Sequence, residues 1–183
     1  MSNMMELRQK VLEKNFSRMN QRQQEAVFHV NGPLLILAGA GSGKTTVLIN
    51  RIANLIRFGN AYHSQNTASL TEEDCAAMEA YINGSAPLEP GTKARLAVNP
   101  CQPWQVLAIT FTNKAAGELK DRLEAMLGEE GRDIWASTFH STCARILRRY
   151  GDRLGFTNHF TIYDTDDSRR LMKECQKALN IED

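Results

Sequence analysis

No stretch of this 183-residue chain stays apolar for the roughly 20 residues that a bilayer-spanning helix needs, so no membrane role is expected. Residues 1–10 are polar and lack the apolar centre of a secretion signal, which points to the cytoplasm. Neither sign of charge dominates: 22 Lys and Arg stand against 21 Asp and Glu, for a net charge of +1. A strongly basic nucleic-acid binder is thereby excluded for the chain as a whole, though a local basic surface is not. Cysteine is sparse. Cys75, Cys101, Cys143 and Cys175 never form a Cys-x-x-Cys pair, which favours reduced thiols over a zinc or disulfide framework. The 42% hydrophobic and 23% charged residues rule out a disordered or fibrous chain, and the length suffices for one domain with a core.

Helix and strand signals alternate along the chain. Asn20 is a good N-cap for a helix over 21–30. Pro33-Leu34-Leu35-Ile36-Leu37-Ala38 is a continuous apolar run, predicted as a strand buried on both faces. After a glycine-rich turn, a helical pattern spans 44–58 and stops at Gly59. Residues 104–110 read as a second buried strand, 113–127 as a helix ending at Gly128, and 134–138 as a third strand. A helix over 139–150 ends at Gly151, 161–163 is extended, and 164–179 is an amphipathic helix. This order predicts an α/β fold with a mainly parallel sheet.

Residues 60–103 break the rhythm. They hold four of the five prolines and carry a charge of −3, leaving +4 for the rest. Thr71 with Glu72, Glu73 and Asp74 signals a helix start, and Asn83-Gly84 its end. The expectation is a solvated insertion between two core elements, or a partner-binding loop.

The sharpest motif is Ala38-Gly39-Ala40-Gly41-Ser42-Gly43-Lys44-Thr45, between a predicted strand and a helix. Glycines at these spacings let backbone N–H groups turn inward around a phosphate, and the helix N-terminus adds partial positive charge. Lys44 is positioned to reach the β- and γ-phosphates, and the Thr45 hydroxyl to bind Mg²⁺. The first position is Ala38 rather than Gly. Such loops serve many enzymes, so the motif indicates phosphate binding and no more. Asn113-Lys114-Ala115-Ala116 lacks the Asp of a guanine reader, which argues against a GTPase.

Three further segments narrow the field: Asn20-Gln21-Arg22-Gln23-Gln24-Glu25-Ala26-Val27, Thr110-Phe111-Thr112-Asn113-Lys114-Ala115-Ala116-Gly117-Glu118-Leu119, and Thr138-Phe139-His140-Ser141. Together with the glycine loop, and in this order, they closely resemble the UvrD/Rep (PcrA-type) superfamily 1 DNA helicases. Phe160-Thr161-Ile162-Tyr163-Asp164-Thr165-Asp166-Asp167 resembles the next family segment. The resemblance implies a RecA-like P-loop NTPase domain, a three-layer sandwich truncated here. It implies ATP and Mg²⁺ as cofactors, single-stranded or junction DNA as partner, 3′ to 5′ translocation, and a role in repair, replication or recombination in the bacterial cytoplasm at the nucleoid.

The same resemblance assigns residues. Gln23 matches the glutamine that reads adenine, although an exposed helix glutamine is the simpler reading of that residue alone. Thr46 lies beside the nucleotide where many relatives have an arginine. Phe111 is to stack on a base, with Thr112, Asn113 and Lys114 at phosphates; Phe111 in the core and Thr112 or Asn113 as a cap are the competing readings. Thr138, Phe139, His140, Ser141 and Arg145 match the next DNA-contacting motif. Arg145, Arg148 and Arg149 share one helix face, either solvated or phosphate-facing.

No Asp-Glu pair follows a buried strand to hold Mg²⁺ and polarise water, and no second motor domain with its arginine finger is present. The chain therefore reads as an N-terminal fragment: 1–18 a leading segment, 19–163 a partial RecA-like domain with the 60–103 insertion, and 164–183 the start of an accessory helical domain. A P-loop kinase or other nucleotide-dependent transferase, a non-catalytic nucleotide module, and a helicase–nuclease subunit are the alternatives.

Overall fold

The computed structural model describes residues 2–39, 41–157 and 159–181. The chain divides into two compact units, Met1–Thr138 and Phe139–Asp183. The first contains α1 (Ser2–Asn15), α2 (Gln21–Phe28), α3 (Lys44–Arg57), α4 (Glu72–Asn83), α5 (Pro90–Arg95), β1 (Leu107–Thr110), α6 (Asn113–Leu127) and β2 (Trp135–Thr138). The second contains α7 (Phe139–Tyr150) and α8 (Thr165–Ala178).

The first unit has two cores, and α3 borders both. Val47 packs with Leu7, Val11 and Leu12 of α1, Val27 and Phe28 of α2, and Met78 of α4. Ile49, Ile52, Ala53 and Ile56 pack instead with Ala108 of β1, Leu119 and Leu123 of α6, and Ala136 of β2. Phe28 stacks on Tyr62 at 4.1 Å, and Phe16 meets Phe28 edge-on at 5.6 Å. β1 and β2 pair in parallel, with Leu107 opposite Trp135 and Thr110 opposite Thr138. The α6 crossover between them is the connection that parallel pairing requires.

Two side chains of α3 tie it to α2 and its C-terminal end. The buried Asn54 side chain donates to the Val27 carbonyl at 3.3 Å. Arg51 donates to the carbonyls of Ala26 and His29, supplying partners for the C-terminal end of α2. Beyond α3 the chain closes on itself, where the Asn60 N–H donates to the Val98 carbonyl at 2.8 Å. A Cβ on Gly59 would lie 2.3 Å from that carbonyl oxygen, so only glycine fits.

Most helices fall where caps and stops predict them. Asn20, Thr71, Thr112 and Asp164 cap α2, α4, α6 and α8 with their side chains. The strand predictions need more correction. Residues 33–38 form no strand, and Leu35 and Leu37 are 79% and 85% exposed. An apolar run becomes a strand only beside a backbone that completes its ladder, and among the described residues none does so here. Within 104–110, only Leu107–Thr110 is strand; its exposure alternates, and Trp104 lies in an exposed 3₁₀ turn. The result is a mostly helical chain with a small parallel sheet, compatible with the α/β class.

The expectation of a solvated 60–103 stretch is also overturned. Ala61, Leu70, Met78 and Leu96 are buried in the first core. The charge that suggested solvation is partly neutralised inside. The Asp74 carboxylate is buried and accepts from Arg95 Nε at 2.8 Å, Thr92 Oγ1 at 2.8 Å and the Thr71 N–H at 2.9 Å. Residues 1–18, given no element by sequence, supply α1. Its apolar stripe is interrupted by Arg8, which is fully buried because its guanidinium donates to the Asn66 and Ser64 carbonyls. Tyr62 donates to Glu13 Oε1 at 2.7 Å; burial and then Glu13 push the phenol up to about 12.

In the second unit, Thr142 and Gly151 are buried, and α8 buries none of its residues. Arg149 lies 5.6 Å and Arg153 5.5 Å from the Tyr150 ring, and Arg148 lies 6.0 Å from the Phe160 ring. All four cysteines are free thiols.

Arg95 first, then the Thr71 and Thr92 donors, hold the Asp74 carboxyl well below the usual carboxylate range, against the effect of burial. A carboxyl depressed by folding stabilises above its unfolded pKa of about 3.9, and that share is lost as the pH falls further. Asp74→Ala is expected to cost about 1–3 kcal/mol, because buried donors lose their acceptor. Asp74→Asn is expected to flatten the acid limb of the stability curve. Urea titrations of the 183-residue chain between pH 7 and 3 check both.

Candidate functional site

The glycine loop sits between the exposed 33–38 segment and the first turn of α3. Gly43 is the N-cap of α3 at φ 81°, and Gly41 has φ 74°, both left-handed positions that suit glycine. A Cβ on Gly39 or Gly41 would meet nothing within 4 Å, so the space over the loop is open. The Lys44 ammonium donates to the carbonyls of Ala38 at 2.7 Å and Gly39 at 2.6 Å. Ser42 Oγ donates to the same Gly39 carbonyl at 2.7 Å. Thr45 and Thr46 are exposed in the first turn of α3. Ala40, the remaining loop residue assigned from sequence, lies outside the described residues.

Gln23 lies beside this loop. Its Oε1 accepts from the Asn20 N–H at 3.0 Å, and its Nε2 donates to the Ser42 carbonyl at 3.2 Å. A cavity of about 200 Å³ opens here, lined by Asn20, Gln23, Leu37, Ser42, Lys44 and Val47 among others. Small-molecule sites usually span about 300–1,000 Å³, so this one accommodates part of a nucleotide. The arrangement fits an anion. It has loop N–H groups, a helix N-terminus and an ammonium that can exchange neutral carbonyls for charged oxygens. The Thr45 hydroxyl is the group suited to Mg²⁺. Among the described residues, no cluster of three His, Cys, Asp or Glu side chains could hold a metal.

At the end of β1, Phe111 is 98% exposed, which removes the core reading. The capping reading holds for Thr112, whose Oγ1 accepts from the Ala115 N–H at 3.1 Å. Asn113 and Lys114 are exposed in the first turn of α6. Thr138 ends β2 and is buried. In the second unit, Phe139, His140, Ser141 and Arg145 are exposed on α7, with the His140 ring perpendicular to Phe139 at 6.4 Å. Arg51 is the residue that sequence reasoning missed: it ties α2, and so Gln23, to the helix that carries Lys44. Nothing in its spacing marks that role.

A family model described as the UvrD/REP helicase N-terminal domain matches residues 19–83 and 93–183. The chain belongs to this family. It is 42% identical to the ATP-dependent DNA helicase PcrA of Leuconostoc citreum over 165 residues, which cover 90% of this chain and 17% of that protein. The same-named protein of Staphylococcus epidermidis is 43% identical over 164 residues, covering 90% and 17%. That of Staphylococcus aureus is 42% identical over 166 residues, covering 91% and 17%. The chain thus spans about 17% of the length of the curated relatives it matches. The match of this UvrD/REP domain runs through 60–83 and 93–103 and breaks over 84–92. No helix is long and apolar enough to cross a membrane among the described residues.

Because Phe111 touches almost nothing, Phe111→Ala is expected to leave folding stability within about 0.5 kcal/mol of the parent. A denaturant titration checks this, and a loss of several kcal/mol would return Phe111 to the core.

Proposed function

We propose that this chain is the N-terminal ATP-binding and DNA-contacting part of an ATP-dependent DNA helicase. The whole protein is a motor that moves 3′ to 5′ on single-stranded DNA and opens duplex in repair, replication or recombination. The observation that carries the reading is the Lys44 ammonium, held by loop carbonyls at the head of a helix clamped between two cores. The similarity to ATP-dependent DNA helicases PcrA supports it.

In this reading the 33–45 segment, β1 and β2 belong to a RecA-like three-layer sandwich. Residues 19–163 make up that partial domain, and 164–183 the start of an accessory helical domain. Lys44 leaves the Ala38 and Gly39 carbonyls for the phosphate oxygens of ATP, while the loop amides and the α3 terminus hold their charge. Thr45 holds Mg²⁺, which when bound neutralises phosphate charge. Ala40 belongs to the same cradle, Thr46 borders it, and Gln23 favours adenine. Phe111 offers its face to a base, while Asn113, Lys114, His140, Ser141 and Arg145 approach phosphate and sugar. Phe139 belongs to the same DNA-contacting motif; Thr138, assigned to it from sequence, is buried. The second acid for Mg²⁺, the water-positioning group and the arginine finger come from the rest of the protein, including a second RecA-like domain.

Three outcomes are expected. Lys44→Ala in the full-length helicase abolishes DNA-stimulated ATP turnover in a steady-state assay while the folded signal persists; near-normal turnover removes Lys44 from the mechanism. Phe111→Ala in the same protein weakens single-strand binding by about 1–3 kcal/mol in a fluorescence titration, with basal nucleotide binding little changed. The isolated 183-residue chain hydrolyses ATP negligibly with or without single-stranded DNA, since an arginine finger alone contributes about 10³–10⁵ in rate in related enzymes. Robust DNA-stimulated turnover by the isolated chain would show that a catalytic acid lies within it.

A further inference from the structure

The Gln23 side chain already has two partners, and both are backbone groups of this chain. Oε1 accepts from the Asn20 N–H at 3.0 Å, while Asn20 Oδ1 accepts from the Gln23 N–H at 2.9 Å. This reciprocal pair fixes the base of the side chain to the capped end of α2. From there Nε2 reaches across 19 positions of sequence to the Ser42 carbonyl at 3.2 Å. The orientation of the amide is determined by its partners. Reversing it would set NH₂ against the Asn20 N–H and oxygen against the Ser42 oxygen, both repulsive. Next along the chain, Gly43 leaves room for the contact: a Cβ there would lie 3.1 Å from Gln23 Nε2.

We infer that Gln23 is a positioning residue for the glycine loop, tying the Ser42–Gly43 peptide to the N-terminal cap of α2 independently of any base. The inference rests on the reading of 38–45 as a phosphate loop. In a trans peptide the C=O and the following N–H point in opposite directions. Holding the Ser42 carbonyl toward α2 therefore turns the Gly43 N–H away from it. A loop with left-handed glycines at 41 and 43 has many accessible paths, and ordering it is a cost that otherwise falls on the ligand. Gln23 removes part of that cost in advance. The anchor is firm because Arg51 and Asn54 bind the carbonyl end of the same helix to α3.

Gln23→Glu separates this role from the cap. The carboxylate still accepts from the Asn20 N–H but has no donor for Ser42. Hydrogen exchange of the 183-residue chain without nucleotide, followed residue by residue by NMR, reads both ends. In Gln23→Glu the Val47 amide, which donates to the Gly43 carbonyl at 2.9 Å, is expected to exchange at least threefold faster. Protection within 21–28 and the urea midpoint are expected to stay unchanged. In Gln23→Ala both the loop end of α3 and α2 are expected to exchange faster. Parent-like exchange at Val47 in Gln23→Glu overturns the inference. So does a parallel rise across 21–28 in that variant, which would make Gln23 a cap and nothing more. A second arm adds Mg-tripolyphosphate, which carries no base. If it fails to slow exchange in the parent, the phosphate-loop reading fails, while the nucleotide-free comparison still decides the positioning role.

Discussion

Everything at the site depends on α3 being held from two sides. A helix packed against one core can rock about its contact line. One with Val47 in the first core and Ile49, Ile52 and Ile56 in the second cannot do so without opening one of them. Lys44 is the first residue of that helix, so the ammonium inherits its fixity. The polar contacts sharpen the placement without replacing it: Arg51 and Asn54 set α2 beside α3 and leave Gln23 at the loop.

The loop is furnished with donors and poor in acceptors of its own choosing. Lys44 and Ser42 both spend hydrogen bonds on the Gly39 carbonyl, a neutral acceptor. A phosphate oxygen adds the attraction of an opposite charge to the ammonium's hydrogen bond, which a neutral carbonyl cannot. The arrangement is thus poised to exchange neutral acceptors for an anion.

The side-chain-capped helices were legible in the sequence because their ends are local chemistry. Asn20, Thr71, Thr112 and Asp164 cap from one residue, and the first turn alone decides each. Strands are not local. The run from Leu34 to Leu37 has the composition of a buried strand, yet nothing in that composition supplies a ladder partner, and the segment remains exposed. Burial of charge was equally hidden. Asp74 falls in a stretch that reads as solvated until its partners at 92 and 95 are seen, and nothing in the sequence marks Arg8 for burial against the carbonyls of 64 and 66. At the site, the glycine loop and the capping of Thr112 could be read directly. The full exposure of Phe111 could not, because a Phe after an apolar strand suits a core as well as a surface.

The 14-residue α3 runs without interruption from Lys44 to Arg57, about 21 Å at 1.5 Å per residue. Its far end is pinned: Arg57 donates to the Met126 carbonyl of α6, and the next residues join Val98. A rod held along its length and anchored at its tip is a strut: the junction of 58–60 with 98, where the first core meets the chain leading to β1, helps to fix Lys44 from about 20 Å away.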